Sequence, residues 1–143
     1  MELKRIQYNT PDYERVVALR RRVLRAPLGL DFTPEQLASE ADDIHLAGFE
    51  DETPVACLIL TPASEREFKM RQVAVAPERQ GAGLGSELVA YSEIVARAAG
   101  CRRLVLMARE TAVPFYLRLG YEAVGEIFEE VSLPHRKMHK WLS

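Results

Sequence analysis

Short apolar runs and two changes of period organise the chain. Residues 3–8 read as a first strand, and Thr10-Pro11 then supplies an N-cap and a first-turn proline for a helix to about Arg25. Thr33-Pro34-Glu35-Gln36 has capping-box spacing and opens a short helix to about Glu40. Residues 44–49 and 54–60, separated by Glu50-Asp51-Glu52-Thr53, predict a hairpin, and residues 68–76 extend it. From Leu84 the period lengthens. Leu84, Leu88, Tyr91, Val95 and Ala98 predict the buried stripe of an amphipathic helix that ends before Gly100.

Residues 103–108 follow as a buried strand. A strand, a helix and a second strand with so long a connection imply a parallel, right-handed crossover, so the sheet is mixed. Thr111 is expected to cap a short helix through Phe115 and Tyr116, closed by Gly120. Three short strands are expected at 121–124, 127–131 and 136–141. The reading is one α/β domain over residues 1–143, with a mostly antiparallel sheet and one parallel β-α-β unit.

Composition narrows the functional classes. The chain has 143 residues, 19 Lys+Arg against 21 Asp+Glu, and 48% hydrophobic residues. The net charge of −2 gives no general attraction to a polyanion, so no nucleic-acid partner is expected. Arg20, Arg21, Arg22 and Arg25 are the one basic cluster, read as a solvated helix face opposite Val16, Val17, Val23 and Leu24. No apolar run reaches the roughly 20 residues of a membrane span, and residues 1–4 lack the apolar segment of a signal peptide, so no membrane is expected and the cytoplasm is the expected compartment. Cys57 and Cys101 lack a zinc-type or C-x-x-C neighbourhood and read as reduced thiols. His45, between apolar neighbours, reads as a core histidine. His45, His135 and His139 lack ligand spacing, so no metal is expected.

Chemistry is concentrated where Val73, Ala74 and Val75 run into Gln80, Gly81, Ala82, Gly83, Leu84, Gly85 and Ser86. Three glycines in five residues open a helix whose first N–H groups have no partner within the helix. Glycine lets the backbone approach a phosphate closely, and the helix start presents aligned N–H donors to an anion. The lysine of a P-loop is missing, and the last glycine step is wrong for a dinucleotide fingerprint.

The glycine pattern matches Q/R-x-x-G-x-G/A. With Phe115-Tyr116-Leu117-Arg118-Leu119-Gly120-Tyr121 about 30 residues later and this element order, the chain resembles the GNAT superfamily of acyl-CoA-dependent N-acetyltransferases. Its tail, 129–138, is similar to that of a subgroup of poorly defined substrate. The resemblance implies acetyl transfer from acetyl-CoA to a primary amine by direct attack through a tetrahedral intermediate. Gln80 to Ser86 would take the pyrophosphate, and Val73, Ala74 and Val75, with Phe115, would hold the pantetheine arm, whose main chain pairing adds it as a strand. Arg79 and Arg118 would lie near the adenosine phosphate. A main-chain N–H near Val73 or Ala74 would meet the oxyanion.

By the same resemblance Tyr116 would protonate the leaving thiolate. An amine must first shed a proton, at a cost of about 4.6 kcal/mol at neutral pH. The strand 69–72 offers no carboxylate for this, which leaves His135, Glu110, Glu129, Glu130 or a water path. The acceptor pocket would be built from 24–32 and 128–136, with Arg25, Leu28 and Phe32 as contacts, and Arg22, Arg25 and Arg136 favouring an anionic acceptor. Late strands that pair between subunits would make a homodimer. Two readings from other classes stand beside this one: a non-catalytic acyl-CoA-binding or sensory domain, and a nucleic-acid module using Arg20 to Arg25.

Overall fold

The computed structural model describes residues 1–142. Strand β1 (Glu2–Ile6) leads into helix α1 (Pro11–Arg20), capped by the Thr10 side chain, which accepts from the Tyr13 N–H. The helix widens into a π-helical turn (Arg21–Arg25) and tightens into a 3-10 turn (Ala26–Leu28). Helix α2 (Pro34–Ala38) starts with both hydrogen bonds of the Thr33/Gln36 capping box. Then come β2 (Ile44–Glu50), β3 (Thr53–Pro62), β4 (Glu67–Val75), α3 (Leu84–Ala98), β5 (Arg103–Arg109), α4 (Val113–Arg118), β6 (Glu122–Glu130) and β7 (Leu133–Trp141).

The seven strands form one sheet in the order β1-β2-β3-β4-β5-β7-β6, in which only β4 and β5 run parallel. Apolar side chains cover both faces. Leu46, Leu58, Leu60, Met70, Leu104, Leu106 and Met138 pack on the α3 side with Leu88. Ala47, Phe49, Cys57 and Ala74 pack on the α1 side with Val16 and Val17. Alternate residues of β2 and β3 therefore both meet core, which is why those strands read as unbroken apolar runs. No helix among the described residues is long and apolar enough to cross a membrane.

Four expectations change. The first concerns the basic cluster. Arg20 is fully buried, its Nη1 and Nη2 donating to both carboxylate oxygens of Glu40 at 2.7 and 2.6 Å. The Tyr13 hydroxyl donates to Glu40 Oε1 at 2.8 Å, and His45 Nε2 to the Glu40 carbonyl at 2.9 Å, which makes His45 a core histidine. Burial alone would push the Glu40 carboxyl up, but the hydrogen bonds and charge of Arg20 outweigh it and hold the group below the usual carboxylate range. Arg21 and Arg22 pair with Asp31 and Glu78.

Second, the buried stripe of α3 is Leu84, Leu88, Ser92 and Ala96 with Val89, while Ala98 is exposed. The Ser92 hydroxyl satisfies itself on the Val89 carbonyl at 2.7 Å, so a polar residue occupies an inward position. Third, Thr111 does not cap α4. A 3-10 turn (Glu110–Ala112) precedes that helix, and Ala112 stands at its N-cap. Fourth, the chain after Gly120 makes two long strands instead of three short ones. A register shift between Val124 and Phe128, with Gly125 at φ 77°, keeps β6 continuous where the sequence suggested a turn.

Candidate active site

The site begins where a strand pair comes apart. β4 and β5 are in register only from Glu67↔Arg103 to Met70↔Leu106, although β4 continues to Val75 and β5 to Arg109. The local cause lies in β4. Gln72 adopts φ 55°, and the β3–β4 register shifts between Cys57 and Ile59, so a bulge re-aims the second half of the strand. Ala74 and Val75 stay paired with Cys57 and Ala56 of β3. The main-chain groups that face β5 beyond Met70 have no ladder partner, and a row of free N–H and C=O groups is a template for an extended guest.

β4 runs through a 3-10 turn (Pro77–Arg79) to the glycines. Arg79 is held by both oxygens of Glu50, at 2.8 and 2.6 Å, and Gln80 Nε2 donates to the Val75 carbonyl at 3.1 Å. Gly81 and Gly83 adopt φ 85° and 83°, a region costly for any residue with a Cβ. Gly85 serves a different need: a Cβ there would stand 3.3 Å from the Phe115 ring and 3.5 Å from Val75 Cγ2. α3 has no side-chain cap, so the N–H groups of its first turn, Leu84, Gly85 and Ser86, carry the partial positive charge of the helix start unsatisfied.

Two cavities meet here. One, of about 540 Å³, is bounded by Val73, Ala74 and Val75 on one side and by Gln80, Gly81 and the first turn of α3 on the other, with Phe115, Arg79 and Arg118 at its rim. Leu84 also reaches the apolar core, and Ala82 lies in the exposed part of the loop outside this wall. The second, of about 500 Å³, lies over the open ends of β4 and β5 and is lined by Arg25, Arg71, Gln72, Arg109, Glu130 and His135 among others. Val23, Val73, Ala112 and Tyr116 line both, so the cavities form one passage with Tyr116 at its waist.

Tyr116 is buried, its ring edge-on to Phe115 at 4.9 Å and to Tyr121 at 5.7 Å. Burial raises its phenol above the ordinary value, so the hydroxyl is a donor throughout the neutral range. His135 is also buried. Its Nδ1–H donates to the Leu133 carbonyl at 2.8 Å, which leaves Nε2 unprotonated in the neutral ring, 3.6 Å from Glu130 Oε2. Gln72 Oε1 and Arg25 Nε are buried polar atoms without a hydrogen-bond partner among the described residues.

The remaining expected residues are distributed as follows. Arg25 lines the second cavity, stacked on Phe32 at 4.8 Å; Phe32 itself lies in the core behind it, and Leu28 lines neither cavity. Arg22, Arg25 and Arg136 do not converge, because Arg22 is paired with Glu78 and Arg136 donates to the Gly125 carbonyl at 2.9 Å. Lys69, Arg71 and Arg109 supply the cationic wall instead. A signal for the first two was present, two cations two residues apart in a strand whose alternate positions, Phe68 and Met70, are core. Cys57 and Cys101 are free thiols. No group of three or more His, Cys, Asp or Glu among the described residues is placed to hold a metal ion.

Comparison with known proteins adds the following. A profile described as the Acetyltransferase (GNAT) family matches residues 11–121. A glucosamine 6-phosphate N-acetyltransferase of Trypanosoma brucei brucei is 37% identical over 54 residues, 38% of this chain, and the match spans 37% of that protein's length. The N-acetyltransferase YjcF of Bacillus subtilis (strain 168) is 27% identical over 107 residues, 74% of each chain. Among solved structures, an aminoglycoside 6'-N-acetyltransferase complexed with coenzyme A superposes with a TM-score of 0.86 at 17% identity, covering 100% of this chain and 98% of that one. Escherichia coli ElaA superposes with a TM-score of 0.83 at 19% identity, covering 97% and 98%. At these identities the structural likeness establishes a shared fold.

Proposed function

The chain belongs to the GNAT acetyltransferase family, and from that premise we propose that it moves an acetyl group from acetyl-CoA to the primary amine of a small molecule by direct attack. The observation that carries the reading is the passage itself: unpaired main-chain groups of β4 lead from the uncapped start of α3 to a buried tyrosine, and a second cavity opens on its far side. A domain that only bound acyl-CoA would have no need of that second cavity.

The residues fit the coenzyme. The N–H groups of Leu84, Gly85 and Ser86 suit a pyrophosphate, and the glycines keep side chains out of its way. The free edge of β4 at Val73, Ala74 and Val75 suits an extended amide arm, with Phe115 as its apolar floor. The coenzyme presents the acetyl group as a thioester. A β4 N–H at the waist would meet the oxyanion that develops on attack.

Protons must balance. The acceptor enters as an ammonium, loses two protons to become an amide, and the sulfur takes one of them. His135 Nε2, 3.6 Å from Glu130 Oε2, would accept the first and pass it to solvent. Gln72 Oε1, buried and unpartnered, would accept a hydrogen bond from the incoming amine. Tyr116 was expected to protonate the leaving thiolate as a general acid. Because burial raises its phenol, handing its own proton outright to a thiolate is uphill, and its better role is to donate a hydrogen bond to the sulfur while relaying the second amine proton there.

Two further expectations have support. Buried free thiols suit a reducing cytoplasm. β6 ends the sheet with an open edge and an exposed Ile127, which favours a homodimer through the late strands; a single monomeric species in sedimentation would contradict it. The enzyme reading is tested by following free coenzyme A released from acetyl-CoA with a panel of amines. Amine-dependent release, reduced in Tyr116→Phe, is expected. Coenzyme A binding without amine-dependent release from any amine class would favour the binding-only domain.

A further inference from the structure

The second cavity is strongly cationic in a chain whose net charge is −2. Arg25, Lys69, Arg71 and Arg109 line it, against the single carboxylate of Glu130. The fold explains their convergence. Lys69 and Arg71 are two residues apart on β4, and Arg109 lies on the same sheet face, because Lys69 pairs with Val105 and alternate residues of β5 follow to Met107 and Arg109. Arg109 in turn stands opposite His135 on β7. Arg25 reaches across this face from the π-helical turn after α1.

Their pairing sets them apart from neighbouring cations. Arg21 and Arg22, in the same turn as Arg25, are each matched to a carboxylate, Asp31 and Glu78. Arg25 has none among the described residues: its guanidinium rests on the Phe32 ring, and its Nε is buried without a hydrogen-bond partner. Lys69 and Arg109 make no ion pair there either; Arg71 differs, with Asp43 at 3.7 Å and a hydrogen bond donated to Thr61 Oγ1 at 3.3 Å. Half-buried cations gathered in one concave wall focus a positive potential there, which favours a ligand of opposite charge.

We propose that the acceptor is a small amine bearing a dianionic group, a phosphate monoester or a pair of carboxylates, which Arg25, Lys69, Arg71 and Arg109 bind while its amino group is presented to Tyr116. This inference rests on the acetyl-transfer reading above. A polyamine, by contrast, would meet like charges.

The test compares matched acceptors: phosphoethanolamine with ethanolamine, aspartate with asparagine, and spermidine as the polycation. Turnover of the anionic member of a pair should exceed the neutral one by about 10- to 100-fold in kcat/KM, the worth of a hydrogen bond to a charged group. Lys69→Gln and Arg109→Gln should erase most of that ratio while leaving affinity for coenzyme A in place. Arg97→Gln, on the exposed side of α3, is the control and should keep the ratio.

Calorimetry of the coenzyme A-saturated protein with inorganic phosphate gives a readout independent of turnover. Saturable binding that Lys69→Gln and Arg109→Gln weaken is expected. Preference for spermidine or for the neutral amines, or absence of phosphate binding up to about 10 mM, would overturn the anionic acceptor even if coenzyme A binds and is released. Failure to bind coenzyme A at all would instead overturn the acetyl-transfer reading on which it rests. Unfolding curves for each variant separate loss of the wall from loss of the fold.

Discussion

Two polar regions share one aromatic ring. Arg20 stacks on Phe32 at 4.6 Å and Arg25 stacks on it at 4.8 Å, yet their surroundings are opposite. Around Arg20, hydrogen bonds join the guanidinium and the hydroxyl of Tyr13 to the Glu40 carboxylate and His45 to the Glu40 carbonyl, so the buried charge is met within the chain, although Arg20 Nε and His45 Nδ1 have no partner among the described residues. Around Arg25 and along β4, a guanidinium Nε, the Gln72 side-chain Oε1 and a run of main-chain groups are left without partners. A buried cation met by a carboxylate of its own chain holds that chain together, and cations left without one in a cavity wall suit a ligand of opposite charge.

The contrast is broken most forcefully at Arg20. Arg20→Ala leaves the Glu40 carboxylate buried and uncompensated, which should cost about 3–5 kcal/mol of stability by chemical denaturation. Coenzyme A affinity of the protein that remains folded should stay unchanged. At the other region the order of effects reverses. Gly83→Glu places a Cβ at φ 83° and a negative charge beside the free N–H groups of α3, so coenzyme A affinity should drop by roughly 100-fold or more by calorimetry, with only about 1–2 kcal/mol of backbone strain in the unfolding curve.

Tyr116→Phe removes the donor at the waist while keeping the ring packed between Phe115 and Tyr121. It should lower kcat by about 10- to 100-fold with little change in coenzyme A affinity. The Glu40 carboxyl gives a smaller, pH-dependent effect. Its folded value lies below the unfolded one, so its stabilisation is present above the ordinary carboxylate range and is lost as pH falls through the folded value. Unfolding measured across acidic pH should show that loss in the native chain. In Arg20→Ala, where the strongest opposition to burial is gone and the Tyr13 hydrogen bond remains, acidification should instead relieve part of the damage. Gln80→Ala, which deletes one bond to the Val75 carbonyl, should be mildest, at about 1 kcal/mol in coenzyme A affinity.

Much of this was legible along the chain. Caps at Thr10 and Thr33, the change of period at Leu84 and the glycines at 81, 83 and 85 are local signals, and each lies within a turn of the structure it specifies. Tyr116 could be found because a motif surrounds it. The burial of Arg20 could not be read locally, because its partner Glu40 comes from another element 20 residues away. The opening of β4 depends on a bulge at Gln72, a residue type with no special claim on positive φ. The cationic wall draws on the π-helical turn, β4 and β5, so only the assembled sheet brings Lys69, Arg71 and Arg109 beside Arg25. Thr111 was misread for the converse reason: a good capping residue was overruled by a 3-10 turn that hands the N-cap to Ala112.

The central claim is that main-chain N–H groups at the start of α3 and along the free edge of β4 receive the coenzyme. Backbone amide chemical shifts recorded by NMR during titration with coenzyme A test it directly. Saturable changes concentrated at residues 73–75 and 81–86, with Phe115 and Tyr116 following, are predicted. Binding that leaves those amides unmoved and shifts others would contradict the account.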